Sequence, residues 1–224
     1  MRRLLKVLLG VALVAVVAEP AWAQADSWQR KWYWGAQGGV MLFKTSTATG
    51  TSSASALDIG GHWLITGKRS ALYLGFDQLS FGNPTTTIIN DNSAVGGQRT
   101  VTFSNGRRLQ AGLYAIPSDK NLQIYLGGGF GINQITNAVA SGTFATAAER
   151  QAAADVIDAQ STKAFAIISA GAQLRMKRLA LFGTYQFMPS SKDFLITTEQ
   201  HALTFGLRYA LTSAHEDVTT SAER

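Results

Sequence analysis

The stretch Gln200-His-Ala-Leu-Thr-Phe-Gly-Leu-Arg-Tyr-Ala-Leu211 decides how the rest of the chain is interpreted. It alternates with a period of two, and successive side chains of a β-strand point to opposite faces. One face carries large side chains, namely His201, Leu203, Phe205, Leu207, Tyr209 and Leu211. The other carries Ala202, Thr204, Gly206, Arg208 and Ala210. An apolar face for lipid and a small, polar face for a narrow interior are typical of a transmembrane β-barrel strand.

Seven earlier segments alternate in the same way, at 31–44, 56–65, 70–81, 107–116, 122–132, 163–176 and 179–188. Strands of soluble proteins are mostly about 5–6 residues long. These segments have the length of about 9–11 residues or more that a tilted strand needs to cross a bilayer. The sequence therefore predicts an all-β fold, an eight-stranded antiparallel up-and-down transmembrane β-barrel over residues 31–211.

The connections alternate between short and long. The short ones are 66–69, 117–121 and 177–178, and the long ones are 45–55, 82–105, 134–162 and 189–199. Outer-membrane barrels have short periplasmic turns and long external loops, so both chain ends are expected on the periplasmic side. Residues 101–106 are interpreted as a small hairpin or an extension of the fourth strand. The Ala-rich segment 146–160 favours a short helix.

The two chain ends do not alternate. Residues 1–23 have the basic start, the short apolar run and the Ala21-Trp22-Ala23 cleavage pattern of a secretory signal peptide. A short lead at 24–30 follows, and 212–224 is a polar tail expected to be disordered in the periplasm. These features predict export with a cleaved signal and location in the outer membrane of a Gram-negative-type envelope.

The composition excludes several classes of function. The absence of cysteine excludes disulfides, a lipid-modified N-terminal cysteine and thiolate chemistry. Removal of residues 1–23 takes away three basic residues and one acidic residue, which lowers the formal net charge from +6 to +4. The sequence has no stripe of basic residues interleaved with aromatic residues, so it gives no indication of nucleic-acid binding. Without a phosphate loop, an HExxH motif or a histidine cluster, we predict no cofactor, no metal and no enzymatic activity.

The interior is predicted to be plugged, because inward glycines leave room for inward tyrosines and phenylalanines. The predicted inward ionisable residues are Asp58, His62, Asp77, Arg175 and Arg208. Pairing about the 66–69 turn sets Asp58 opposite Asp77, and two such carboxylates share a proton or need a cation. Arg175 and Arg208 are candidates to supply it. A structural charge network, a narrow gated pore and a proton path all remain open.

Four outward aromatic residues are expected to cluster if the first and last strands pair. They are Trp32, Trp34, Phe205 and Tyr209. Aromatic side chains are enriched where a membrane meets water. We therefore predict an aromatic girdle near the periplasmic interface.

The signal, the eight alternating segments and the last strand together resemble the family of small outer-membrane barrels that includes the OmpA transmembrane domain, OmpX and the opacity-type porins. Thr204, Gly206, Tyr209 and Leu211 are similar to the assembly signal of such barrels. The resemblance implies contact with outer-membrane lipid, lipopolysaccharide and the assembly machinery, and a monomer.

We expect a structural or surface-interacting protein that contacts ligands through 82–105 and 134–162. The alternatives are a narrow channel or transporter for small or hydrophobic solutes, and a secreted soluble ligand-binding barrel.

Overall fold

The computed structural model describes residues 29–92, 94, 96–118 and 120–213. The predicted signal peptide, most of the predicted lead and residues 214–224 of the predicted tail lie outside the described residues. Residues 212–213 belong to the last strand.

The alternating segments form barrel strands because one set of side chains packs into the interior while the other covers the apolar outer surface. The elements are, in chain order, β1 (Lys31–Thr47), β2 (Gly50–Thr66), β3 (Ser70–Asn90), β4 (Gln98–Ala115), β5 (Leu122–Thr136), β6 (Val139–Ala140), α1 (Ala147–Ser161), β7 (Thr162–Met176), β8 (Leu179–Met188) and β9 (Gln200–Ser213).

The eight long strands of the described chain form a closed antiparallel barrel. Each pairs with its neighbours in chain order, β1 pairs with β9, and the short β6 adds only to β4. The predicted fold class is confirmed. Among the described residues, no helix is long and apolar enough to cross a membrane.

The strands are longer at the loop end, the end that carries the long connections, than the sequence predicted. The predicted loop 45–55 is wrong, since β1 and β2 stay paired up to the Thr47–Gly50 turn. The predicted connection 82–105 is also mostly strand, and 101–106 is an extension of β4, one of the two options considered. Thr is β-branched and suits strands, so pairing continues through these Thr-containing segments without bulky apolar residues. Pro84 lies where the β3–β4 register shifts, a position at which a strand tolerates proline.

The predicted register between β2 and β3 is wrong by two residues. Ile65 pairs with Leu72 and not with Ser70, because the turn begins one residue later and closes through a bond from Gly67 N to Ser70 O of 2.7 Å. A two-residue shift leaves every side chain on its predicted face. The predicted β7–β8 register is confirmed, with Leu174 opposite Leu181.

The outward surface is a belt of exposed apolar side chains. Phe130 is 75% exposed, Ile124 69% and Leu113 64%. The buried side chains fall into two clusters, one near the end with the short turns, here called the turn end, and a larger one near the loop end. These two clusters and the surface at the loop end are therefore the parts of the barrel that can carry a function.

Candidate functional site: the filled interior and its cap

Arg108 is the centre of the polar interior. It is fully buried on β4, and its Nη2 donates to Asp58 Oδ2 at 2.5 Å and to Asp77 Oδ2 at 2.9 Å. The two carboxylates are therefore brought together by a cation between them. They do not face each other, since Asp58 pairs with Leu79 and Asp77 with Arg108.

The sequence prediction missed Arg108, although a signal for it was present. Leu109 is a large apolar residue of the alternating segment 107–116 and suits the lipid face, so alternation puts its neighbour Arg108 inside. Arg208, a predicted candidate for the cation, lies elsewhere. Its Nε donates to His62 Nε2 at 2.9 Å and its Nη1 to Gln173 Oε1 at 2.6 Å. Arg175 lies near the 177–178 turn, opposite Ala180 in the register of β7 and β8.

Amide side chains complete the shell of Asp77. Gln37 Nε2 donates to its Oδ1 at 2.6 Å, and Gln110 Nε2 donates to its Oδ2 at 2.5 Å. Gln186 in turn donates to Gln110 Oε1 at 2.8 Å. Buried charges are stable only when they are paired and hydrogen-bonded, and this network provides both across five strands.

Aromatic rings fill the space between the polar groups toward the turn end. His62, Tyr73, Tyr114 and Tyr125 form a chain of rings with centroids 5.1–5.4 Å apart. The inward glycines make room for them as predicted, since a methyl group on Gly35 would overlap the His62 ring. A cavity of only about 10 Å³ remains beside Tyr73 and Tyr114, at the lower limit for one water molecule.

The loop half of the interior is mostly apolar, with a buried amide pair in which Asn133 Nδ2 donates to Gln200 Oε1 at 2.8 Å. Its buried cluster combines inward strand residues with three consecutive side chains of the 189–199 connection, Phe194, Leu195 and Ile196. Each of these three is at most 1% exposed. The Phe194 ring packs edge to face on Phe165 with centroids 5.2 Å apart. We call residues 189–199 the strap.

The strap completes the barrel wall where β8 stops short. β7 pairs with β8 only from Ile168 onward, so its first residues have no strand on that side. The strap occupies this place. Thr198 Oγ1 accepts from Lys44 N at 2.9 Å on one flank, and Leu195 N donates to Gln160 O at 3.0 Å on the other.

A second group of contacts holds α1 and its preceding loop over the loop end. Arg99 pairs with Asp91 at 2.5 Å, with both side chains buried, and its guanidinium lies 4.1 Å from the Phe144 ring centroid. Thr146 caps α1 by accepting from Glu149 N, while Glu149 accepts from Ala145 N. The helix occupies the segment whose composition favoured one.

The predicted girdle residues are all exposed, but they do not form one group. Trp34 pairs with Tyr209 and packs edge to face on Trp63 at 4.8 Å between centroids. Phe205 pairs with Gly38, further from the turn end. The sequence prediction omitted Trp63, which contacts Trp34. Its outward position on β2 could have indicated this contact.

The predicted assembly residues occupy both faces of β9. Thr204 is buried, Gly206 faces the Phe182 ring, and Tyr209 and Leu211 are exposed. Their role stays a prediction. His201 bonds through Nδ1 to the Tyr185 hydroxyl at 2.6 Å. Among the described residues, no group of three or more His, Cys, Asp or Glu residues could hold a metal ion.

Comparison with known proteins places the fold. No protein-family model matches the sequence, and no curated protein matches it. Neisserial surface protein A is similar in structure, with a TM-score of 0.50, 13% sequence identity, and coverage of 80% of this chain and 97% of that chain. The N-terminal barrel of Pseudomonas aeruginosa OprF gives 0.49, 10%, 82% and 98%. OprG of Pseudomonas aeruginosa gives 0.47, 9%, 83% and 98%. With its closed ring of eight antiparallel strands, this chain has the fold of the eight-stranded outer-membrane β-barrels.

Proposed function

We propose that the protein is a non-conducting outer-membrane barrel that presents its loop end as a surface for interaction. The observation that carries the proposal is an interior filled along its length. Arg108 and its partners fill the middle of the barrel and the aromatic rings fill the turn end, and we call these two parts together the turn half. The apolar cluster with the strap fills the loop half. An eight-stranded barrel is just wide enough for side chains to fill it.

The surface chemistry supports a location in lipid. Large apolar side chains cover the outside of the strands, and such a continuous patch is unfavourable in water. This disfavours the secreted soluble barrel. We propose that outer-membrane lipid and lipopolysaccharide contact this belt, that the assembly machinery recognises β9, and that the barrel is a monomer, because ring closure removes its strand edges.

The location and the fold can be tested together. The full chain is expressed in a Gram-negative host, and its outer-membrane fraction is extracted with detergent. We expect the protein in that fraction, with faster migration on a gel before boiling than after it. Recovery in the soluble periplasmic fraction would overturn the proposed location.

Conductance tests the filled interior. The purified protein in planar bilayers should show no stable current steps, because buried side chains fill both halves of the interior.

A narrow channel is the second candidate, favoured by the polar side chains that line the turn half. A stable unitary conductance that changes with Asp77→Asn would support the channel and overturn the non-conducting barrel. If the network is structural, Asp77→Asn lowers stability and leaves the bilayer silent.

A further inference from the structure

A cleft of about 700 Å³ lies at the loop end, between α1 and residues 134–140. It is separate from the polar network around Arg108, whose nearby cavity is only about 10 Å³. Ligand sites typically measure about 300–1,000 Å³. The cleft therefore has the size of a ligand site, whereas the cavity beside Tyr73 and Tyr114 does not.

One wall of the cleft is a polar face of α1. The lining residues recur at helical spacing, and they are Arg150, Gln151, Ala154, Asp155, Asp158 and Ser161. The helix rests on buried Ala153 and Ile157. Arg150 and Asp158 are eight residues apart, which places them about 12 Å apart along the helix axis. The wall thus offers polar groups along an extended path.

The opposite wall mixes amides with apolar side chains. Gln134 and Asn137 supply the amides, and Val139 and Phe144 supply apolar surface. Gln134, Asn137 and Asp158 are exposed, so a ligand in the cleft can reach their polar atoms. Ile135 and Ile157, both buried, also line the cleft.

Both walls are anchored to the barrel. β6 pairs with β4 through Val101 and Ala140, and Arg99 holds Phe144 and donates to Thr143 O. The end of α1 is tied to the strap through Gln160. A site held in this way exists before a ligand arrives, which lowers the entropy lost on binding.

The lining selects the class of ligand. A single arginine beside two aspartates disfavours a phosphate-rich anion. A purely apolar chain would leave the polar groups of both walls without hydrogen bonds. A sugar hydroxyl both donates and accepts, so it matches a carboxylate, an amide and a guanidinium alike, while Val139, which is 63% exposed, suits the C–H faces of the rings.

We propose that this cleft binds an uncharged oligosaccharide, with Asp158 accepting from its hydroxyls and the amides of Gln134 and Asn137 bonding to it from the other wall. The inference rests on the proposed function in one respect only, namely that a loop end facing outward would meet saccharides outside the cell. Binding to the purified protein does not depend on that orientation.

The test is calorimetric titration of the full chain in lauryldimethylamine oxide, a detergent without a sugar headgroup that would compete. Maltotriose and triacetylchitotriose are the saccharide probes, and spermidine and inorganic phosphate represent the other charge classes. We expect saturable binding of at least one trisaccharide. Binding of spermidine or phosphate alone, or of no probe, would overturn the proposal and leave the membrane location and conductance results unaffected.

A matched pair of variants locates the site. Asp158→Asn should weaken trisaccharide binding about tenfold, as expected for one hydrogen bond to a charged group. Asp193→Asn is the control, because Asp193 lies at the same end on the strap with its side chain 81% exposed. It should leave the Kd unchanged. Equal Kd values for both variants would exclude the cleft as the binding site.

Discussion

The turn half and the loop half of the barrel interior are filled by different means. In the turn half, charged and amide side chains from the strands alone meet around Arg108 and Arg208. In the loop half, apolar strand residues meet a strap that folds back into the barrel mouth. The first arrangement is fixed by strand pairing, and the second also depends on a connection between strands.

This difference separates two kinds of stability. A buried ion network is sensitive to the loss of any one partner, because the remaining charge stays buried. An apolar cluster loses stability in proportion to the volume removed and can loosen locally. The turn half should therefore unfold cooperatively, while the loop half should be able to open locally with the rest of the barrel still folded.

The largest effect is expected for Arg108→Met, which leaves Asp58 and Asp77 buried without their cation. We expect destabilisation of about 3–5 kcal/mol, measured by urea unfolding of the detergent-folded barrel. Arg107→Met is the control, since Arg107 is exposed on the adjacent outward position of β4. Adding Asp58→Asn and Asp77→Asn to Arg108→Met should restore part of the lost free energy of unfolding. Equal stability of the Arg108 and Arg107 variants would refute the role of the network.

The next effect concerns the strap. Leu195→Ala removes a side chain that is 1% exposed, and a buried Leu→Ala change costs about 2–5 kcal/mol. We expect the loss to be local, with faster hydrogen exchange at 189–199 and in α1 and unchanged protection around Gln110. Lys192→Ala, at an exposed strap position, serves as the control. Faster exchange throughout the barrel would show that the two halves do not open separately.

The sequence predicted the turn half better than the loop half, for a physical reason. Alternation determines which face a residue occupies, and Asp58, His62, Asp77 and Arg208 are all inside as predicted. It does not determine which partners meet, because a two-residue register shift preserves every face. Arg108 pairs with the two carboxylates, and Arg208 bonds to His62 instead.

The loop half could not be predicted in the same way. The run Phe194-Leu195-Ile196 has no period, and nothing local shows that the strap turns inward. The cleft at α1 depends on contacts between segments far apart in sequence, such as Arg99 with Phe144. The helix itself was predictable, because its composition and its Thr146–Glu149 capping pair are local.

A smaller effect tests how tightly the turn half is packed. A methyl group on Gly75 would lie 2.6 Å from the Tyr73 hydroxyl oxygen, and overpacking costs about 1–3 kcal/mol. Gly75→Ala should therefore lower the free energy of unfolding, and Tyr73→Leu in the same chain should cancel part of this penalty. Strictly additive losses in the double variant would show that the two side chains do not compete for this space.

The smallest effect is expected at the cap of α1, where the loop half is held by local bonds. Thr146→Ala removes the side-chain acceptor of Glu149 N, and loss of such a cap costs about 1 kcal/mol. Because α1 rests on the barrel through few buried residues, this loss should appear as faster exchange in the first turn of the helix, with no change in the global unfolding midpoint. Thr146→Ser keeps the hydroxyl and should restore protection. A shift of the global midpoint by Thr146→Ala would instead mean that α1 unfolds together with the barrel, and the distinction between a rigid turn half and a separately opening loop half would fail at its most exposed element.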